Sequence, residues 1–125
     1  MTLQVSVTEK DPGVFVVSPI GSIDTSTAPI LGKEVADLLA RSPRLIIFDM
    51  AGVEYISSMG VREVIKTKKG LAGRGGRFAM INVTPSIQRV FEIINALPPQ
   101  EIFESIVELD DYLAAMQKKV HQGEE

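Results

Sequence analysis

Short apolar stretches along the chain predict four β-strands and a weaker fifth. Residues 3–7 alternate apolar and polar side chains, a period of two that is typical of a strand with one buried face. The turn signal Asp-Pro-Gly at 11–13 predicts a hairpin between this strand and the apolar run 14–17, which Pro19 and Gly21 are expected to end. Further continuous apolar runs, which suit strands covered on both faces, lie at 45–48, 78–81 and, more weakly, 102–103.

Apolar residues at helical spacing predict about four helices between and after these strands. The candidate N-caps are Thr25, Ser26 or Thr27 for the first helix, with Pro29 in its first turn, and Ser57 or Ser58 for the second. The apolar stripes are Leu31/Val35/Leu38/Leu39, Val61/Val64/Ile65, Ile87/Val90/Phe91/Ile94 and Leu109/Leu113/Met116/Val120. Alternating strands and helices predict an α/β fold, with a mixed, mostly parallel sheet of four to five strands and an N-terminal β-hairpin.

The length and charge of the chain restrict the class of protein. Its 125 residues predict a single domain, 1–125, with a core at about 3–115 and a helix end and frayed tail at 116–125. The net charge of −3 argues against a dedicated nucleic-acid binder. No apolar run reaches the ~18 residues of a membrane span, and residues 1–10 lack the apolar core of a signal peptide. We therefore expect a cytoplasmic protein without membrane insertion.

The composition also argues against catalytic mechanisms that depend on cysteine, histidine or a bound metal. Cysteine is absent, and the only histidine, His121, lies in the tail, so a thiol or imidazole mechanism is not expected. Asp49 and Glu54 are not accompanied by carboxylates at ligand spacing, so no metal or other cofactor is expected. The glycines at 70–76 leave a helix rather than enter one, which excludes a phosphate loop. The chain is expected not to be an enzyme.

The segment 55–61, Tyr-Ile-Ser-Ser-Met-Gly-Val, holds the main candidate site. It places Ser58 at or beside a helix N-terminus, near the carboxyl end of a strand, where open α/β sheets tend to bind ligands. A phosphate on Ser58 would be tolerated there because the helix end is electropositive. By local physics alone, capping by Ser57 or Ser58 is the simpler interpretation. A hydrolase nucleophile is disfavoured, since no Gly-x-Ser-x-Gly elbow or base accompanies Ser58.

Asp24 is the second candidate. It closes the segment Gly-Ser-Ile-Asp at 21–24, after a strand and before a helix. We therefore expect it on the same sheet edge as Ser58. The local interpretation is an Asx-type turn or part of the helix cap.

In their order and spacing, these segments resemble the anti-sigma factor antagonist family, which is built on the STAS domain. The resemblance covers about residues 3–115. It is carried by 21–24, 45–49, 53–61, 75–76, 82–87 and 102–103.

The resemblance implies a small non-catalytic switch. Family members bind an anti-sigma factor, often a serine kinase, and so release a sigma factor for transcription. The kinase phosphorylates a residue in an Asp-Ser/Thr-x-Gly segment, which breaks the complex, and a phosphatase reverses this step. Ser58 matches the phosphorylated position, with Ser57 as a weaker candidate, and Gly60 matches the glycine. Asp24 matches an acidic position at the partner interface.

Two residues depart from the family pattern: Ser57 replaces the usual aspartate, and Met59 is larger than the usual serine, threonine or alanine. The resemblance thus implies a partner-binding set, which comprises Asp24, Ser57, Ser58, Met59 and Gly60. The protein is expected to be a monomer or weak dimer. Two alternatives keep the fold, a scaffold subunit of a stress-sensing complex and a regulatory subunit of a transporter. A nucleotide or small-ligand binding domain is ranked lower, because the fingerprints for such ligands are absent.

Overall fold

The computed structural model describes residues 2–94 and 102–103, which form six strands and three helices. These elements are β1 (Leu3–Asp11), β2 (Val14–Ile23), α1 (Ala28–Leu39), β3 (Leu45–Asp49), β4 (Val53–Ile56), α2 (Ser58–Ala72), β5 (Arg77–Ile81), α3 (Pro85–Ile94) and β6 (Ile102–Phe103).

The strands form one sheet in the order β1-β2-β3-β5-β6, and β4 pairs with the far end of β2. The β1–β2 hairpin is antiparallel, and every other pairing between described strands is parallel. This confirms the predicted α/β class with its N-terminal hairpin. The predicted fourth helix and His121 lie outside the described residues.

The core occupies both faces of the sheet. The larger cluster joins the apolar stripes of α1, α2 and α3 to alternate residues of the central strands, such as Phe48 and Phe78, whose rings meet edge-to-face at 5.1 Å. The neighbouring positions on the same strands form a second buried cluster on the opposite face: Leu45, Ile47, Ala79 and Ile81. Since residues 45–48 are all buried, the prediction of a strand covered on both faces is confirmed.

Strand β2 is longer than predicted, because Pro19 and Gly21 do not end it. Pro19 lies between the stretch of β2 that pairs with β3 (14–17) and the stretch that pairs with β4 (21–23), so no parallel partner stands opposite its missing N–H. Gly21 has φ +118° and marks a shift of register between β2 and β4. It therefore acts as a bulge that carries the strand onward.

Strand β4 was not predicted. Only its two end residues, Val53 and Ile56, are buried, and the two between them are exposed. This pattern matches neither strict alternation nor a continuous apolar run. Pairing with β2 holds the strand in place, and its carboxyl end leads directly into α2.

Candidate functional site

Strands β2 and β4 end side by side and bring the two sequence-predicted segments together. Ile23 and Ile56 are partners in the parallel register, and the Ser57 N–H donates to the Ile23 carbonyl oxygen over 2.8 Å. Asp24 follows one strand and Ser58 lies two residues beyond the other. The expectation that both lie on one edge of the sheet is confirmed.

The two serines have different surroundings. Ser57 is the N-cap of α2: its backbone is extended, and its Oγ accepts a hydrogen bond from the Gly60 N–H at 3.3 Å. Ser58 is the first helical residue, and its side chain is exposed. Its hydroxyl makes no hydrogen bond to any residue that the structure describes. Capping therefore belongs to Ser57, and the Ser58 hydroxyl stays available to solvent.

Gly60 allows the first turn of α2 to approach the sheet. A Cβ atom at this position would lie 2.7 Å from side-chain carbons of Ile23 and Ile56 and 2.8 Å from the Ile23 carbonyl oxygen. Met59 is half-buried and packs against the main core. These two residues set the position of Ser58 rather than offering freely exposed groups of their own.

Asp24 organises the loop that leads into α1. Its Oδ1 accepts hydrogen bonds from the Ser26 hydroxyl (2.8 Å), the Ser26 N–H (2.9 Å) and the Thr27 N–H (3.0 Å). The Ser26 hydroxyl is the main cause that lowers the pKa of Asp24, desolvation opposes it, and the contacts with Thr27 and the Ser26 N–H add to the lowering. The carboxylate is therefore charged at neutral pH. The interpretation of Asp24 as an Asx-type turn is confirmed.

Thr27 has a role that sequence reasoning missed. It occupies the N-cap position of α1, as one of the three predicted candidates, but its side chain does not cap the helix. The buried Oγ1 instead donates to the Ser22 carbonyl oxygen at 2.7 Å and accepts from the Asp24 N–H at 2.9 Å. These bonds fix the end of β2 beside the site.

Two exposed apolar side chains near this edge were left out of the predicted partner-binding set, although Tyr55 belongs to the candidate segment 55–61. Tyr55, opposite Ser22 in the β2–β4 register, is 51% exposed, and Ile30, in the first turn of α1, is 45% exposed. Both belong to elements that adjoin the site, since Tyr55 precedes the end of β4 and Ile30 lies in the helix that follows the Asp24 loop. Exposed aromatic side chains such as Tyr55 are enriched in protein–protein interfaces.

A comparison with known proteins assigns the family. The STAS domain family matches residues 6–109, which is most of the chain. The chain belongs to the STAS domain family.

Proteins similar to this STAS domain include anti-sigma factor antagonists. RsfB of Mycobacterium tuberculosis, an anti-sigma-F factor antagonist, is 30% identical over 69 residues, which cover 55% of this chain and 56% of RsfB. An anti-sigma factor antagonist from Mycobacterium paratuberculosis superposes with a TM-score of 0.75 at 28% identity, covering 93% of this chain and 95% of that one. The anti-sigma factor antagonist SpoIIAA in its unphosphorylated form superposes with a TM-score of 0.77 at 16% identity, covering 90% of this chain and 97% of SpoIIAA. At that identity the similarity supports only the fold.

Asp49 and Asn82, two further polar residues at the carboxyl edge of the STAS domain, are hydrogen-bonded to each other. Asp49 Oδ1 accepts from the Asn82 side-chain amide at 3.0 Å and from the Ala51 N–H at 3.1 Å, which joins the ends of β3 and β5. In residues 2–94 and 102–103, no three histidine, cysteine or carboxylate side chains are grouped as metal ligands would be. Across the same residues, no helix has the length and apolar character needed to cross a membrane.

Proposed function

We propose that this STAS domain is an anti-sigma factor antagonist: a protein without catalytic activity that binds an anti-sigma factor of the serine-kinase type and releases a sigma factor. The observation that carries the proposal is the free, exposed hydroxyl of Ser58 on the edge that it shares with Asp24. Similarity to RsfB and to the antagonist from Mycobacterium paratuberculosis supports it. The protein acts in the cytoplasm, as a monomer or weak dimer.

In this proposal the carboxyl edge of β2 and β4 is the docking surface. Asp24 contributes a fixed negative charge, because three hydrogen-bond donors hold its carboxylate in place. Tyr55 and Ile30 contribute exposed apolar area, which is where binding free energy is concentrated in protein interfaces. Ser57, Met59 and Gly60 belong to the surface by holding the turn in shape around Ser58.

Phosphorylation of Ser58 is the proposed switch. A phosphate adds −1.5 to −2 charges at neutral pH. The fold tolerates it, because Ser58 is exposed and the N-terminus of α2 favours negative charge. The phosphate would lower the affinity for the partner, because the same edge already carries the charge of Asp24 and docking would have to desolvate the new dianion. SpoIIAA, which shares the fold, has been solved in unphosphorylated and phosphorylated forms. A phosphatase would restore binding.

Titration of the anti-sigma kinase with three variants tests this function. Ser58→Asp is expected to weaken binding by about a hundredfold, close to 3 kcal/mol, whereas Ser58→Ala retains affinity. Ser6→Asp, which adds the same charge at an exposed serine of β1, is the matched control and should bind like wild type. Incubation with kinase and ATP followed by mass spectrometry should find phosphate on wild type and none on Ser58→Ala. If Ser58 gains no phosphate and Ser58→Asp binds the kinase as tightly as wild type, the proposed phosphorylation switch is contradicted.

A further inference from the structure

Four arginines gather at the opposite edge of the sheet, where β3 and β5 begin. Arg41 and Arg44 lie in the loop after α1, Arg74 lies in the loop after α2, and Arg77 is the first residue of β5. The Arg77 N–H donates to the Arg44 carbonyl oxygen at 2.9 Å, so the two loops are joined. Gly76 stands so close to the other loop that a Cβ there would lie 2.7 Å from the Pro43 carbonyl oxygen. We call Arg41, Arg44, Arg74 and Arg77 the arginine cluster.

The positive charge of this cluster is not neutralised within the described part of the chain. None of the four side chains forms an ion pair with a described residue. Arg44 donates from Nε and Nη2 to the Pro12 carbonyl oxygen at 3.0 and 2.8 Å. Along the chain the nearest acidic residues are Asp37 of α1 and Asp49 of β3. The hairpin whose turn contacts Arg44 adds Glu9 and Asp11, and Glu9 accepts from the Gly13 N–H. All four arginines are exposed.

Part of the cluster is already ordered. The two bonds to Pro12 hold the Arg44 guanidinium, and the Arg41 guanidinium lies over the Phe15 ring, 5.9 Å from its centroid. An arginine that is held in place loses less conformational entropy when it binds a ligand. Arg74 and Arg77 follow α2, on the other side of the backbone bond that joins the loops, and their side chains have no partner among the described residues. The planar forks of arginine match carboxylates in a bidentate manner.

We propose that the arginine cluster is a second docking surface, which binds an aspartate- or glutamate-rich segment of a partner protein. A short acidic segment is favoured over a nucleic acid, because a few carboxylates need contact only the four arginines. A long polyphosphate would extend past them onto Glu9, Asp11 and the rest of a chain of net charge −3, which repels it. A membrane is disfavoured because none of the large exposed apolar side chains that the structure describes belongs to the two loops.

The arginine cluster is separate from the proposed anti-sigma site. Strand β2 connects the two edges: Val14 pairs with Leu45 next to the cluster, and Ile23 pairs with Ile56 next to Ser58. Ten residues of extended chain span roughly 30 Å. The two surfaces can therefore be tested independently.

Fluorescence anisotropy with a labelled oligoglutamate peptide tests the proposal on the full chain. Wild type should bind the peptide, with an affinity that falls as salt rises, and Arg74→Gln combined with Arg77→Gln should weaken binding at least about tenfold. Arg62→Gln combined with Arg89→Gln removes the same charge from exposed arginines of α2 and α3 and should leave the affinity within about twofold of wild type. Circular dichroism checks that both double variants are folded.

A short DNA duplex and phosphatidylserine vesicles are the competing probes. Weaker binding of both than of the peptide, measured at equal salt, supports the carboxylate assignment. The proposal is overturned if wild type does not bind the peptide, if the control double variant loses as much affinity as the cluster variant, or if either competing probe binds more tightly. None of these results bears on binding of the anti-sigma factor.

Discussion

Gly60 lies where the first turn of α2 meets the carboxyl ends of β2 and β4, and its missing side chain makes that contact possible. Replacement by alanine would press Cβ against Ile23 and Ile56, and rotation of a side chain cannot relieve the contact with the Ile23 carbonyl oxygen. We expect Gly60→Ala to lower the free energy of unfolding by about 1–3 kcal/mol, the range of overpacked cores. Urea denaturation measures the change.

Gly73 provides the matched control for this residue. It ends α2 with φ −67°, and a Cβ there would meet only ordinary contacts at 3.6 Å and beyond. Gly73→Ala should therefore be neutral or slightly stabilising, because alanine has fewer unfolded conformations than glycine. Equal losses of stability in the two variants would show that close packing does not explain the requirement for glycine at position 60.

At the scale of elements, the start of α2 depends on one of two neighbouring serines. Ser57→Ala removes the side chain that accepts from the Gly60 N–H, and we expect it to cost about 1 kcal/mol of stability. Ser58→Ala removes an exposed hydroxyl and should change stability by less than about 0.5 kcal/mol. Thermal unfolding of both variants measures the difference. Ser57→Asp should stay close to wild type, since aspartate also caps helices.

The reverse order of effects would contradict this assignment of the cap. A larger loss in Ser58→Ala than in Ser57→Ala would place the start of the helix one residue later. Recovery of stability in Ser57→Asp, relative to Ser57→Ala, would in turn indicate that the family aspartate and Ser57 perform the same capping function.

The elements also show what the sequence pattern can and cannot predict. Residues 45–48 and 78–81 are continuous apolar runs, so β3 and β5 follow directly from their composition. The end of β2 and the whole of β4 are defined by their pairing with each other across the sheet. The local sequence pattern contains no signal for that pairing, so neither feature could be predicted. The edge that joins Asp24 to Ser58 was predictable from strand–helix order. The choice of Ser57 as the cap was not, because it depends on where β4 ends.

At the scale of the whole molecule, the two proposed surfaces lie at opposite ends of β2. The separation of roughly 30 Å exceeds the screening length of about 10 Å at 0.1 M salt, so charges at one edge act little on the other. The dense core between them, formed by the three described helices and the sheet, contains no charged side chain among its buried residues. The residues that the structure describes therefore provide no electrostatic route from the arginine cluster to Ser58.

A double-mutant cycle on anti-sigma factor binding tests this independence. The four proteins are wild type, Ser58→Asp, Arg77→Gln and the double variant, and the affinity of each is measured by calorimetry at physiological salt. Distant sites without shared partners are additive within about 0.3–0.5 kcal/mol, so the double variant should lose the sum of the two single losses. Ser58→Asp is expected to carry nearly all of that loss, because Arg77 lies at the other edge. A coupling energy above about 1 kcal/mol would contradict the independence of the two edges. It would mean either that a conformational change of the sheet links them or that one partner surface contacts both.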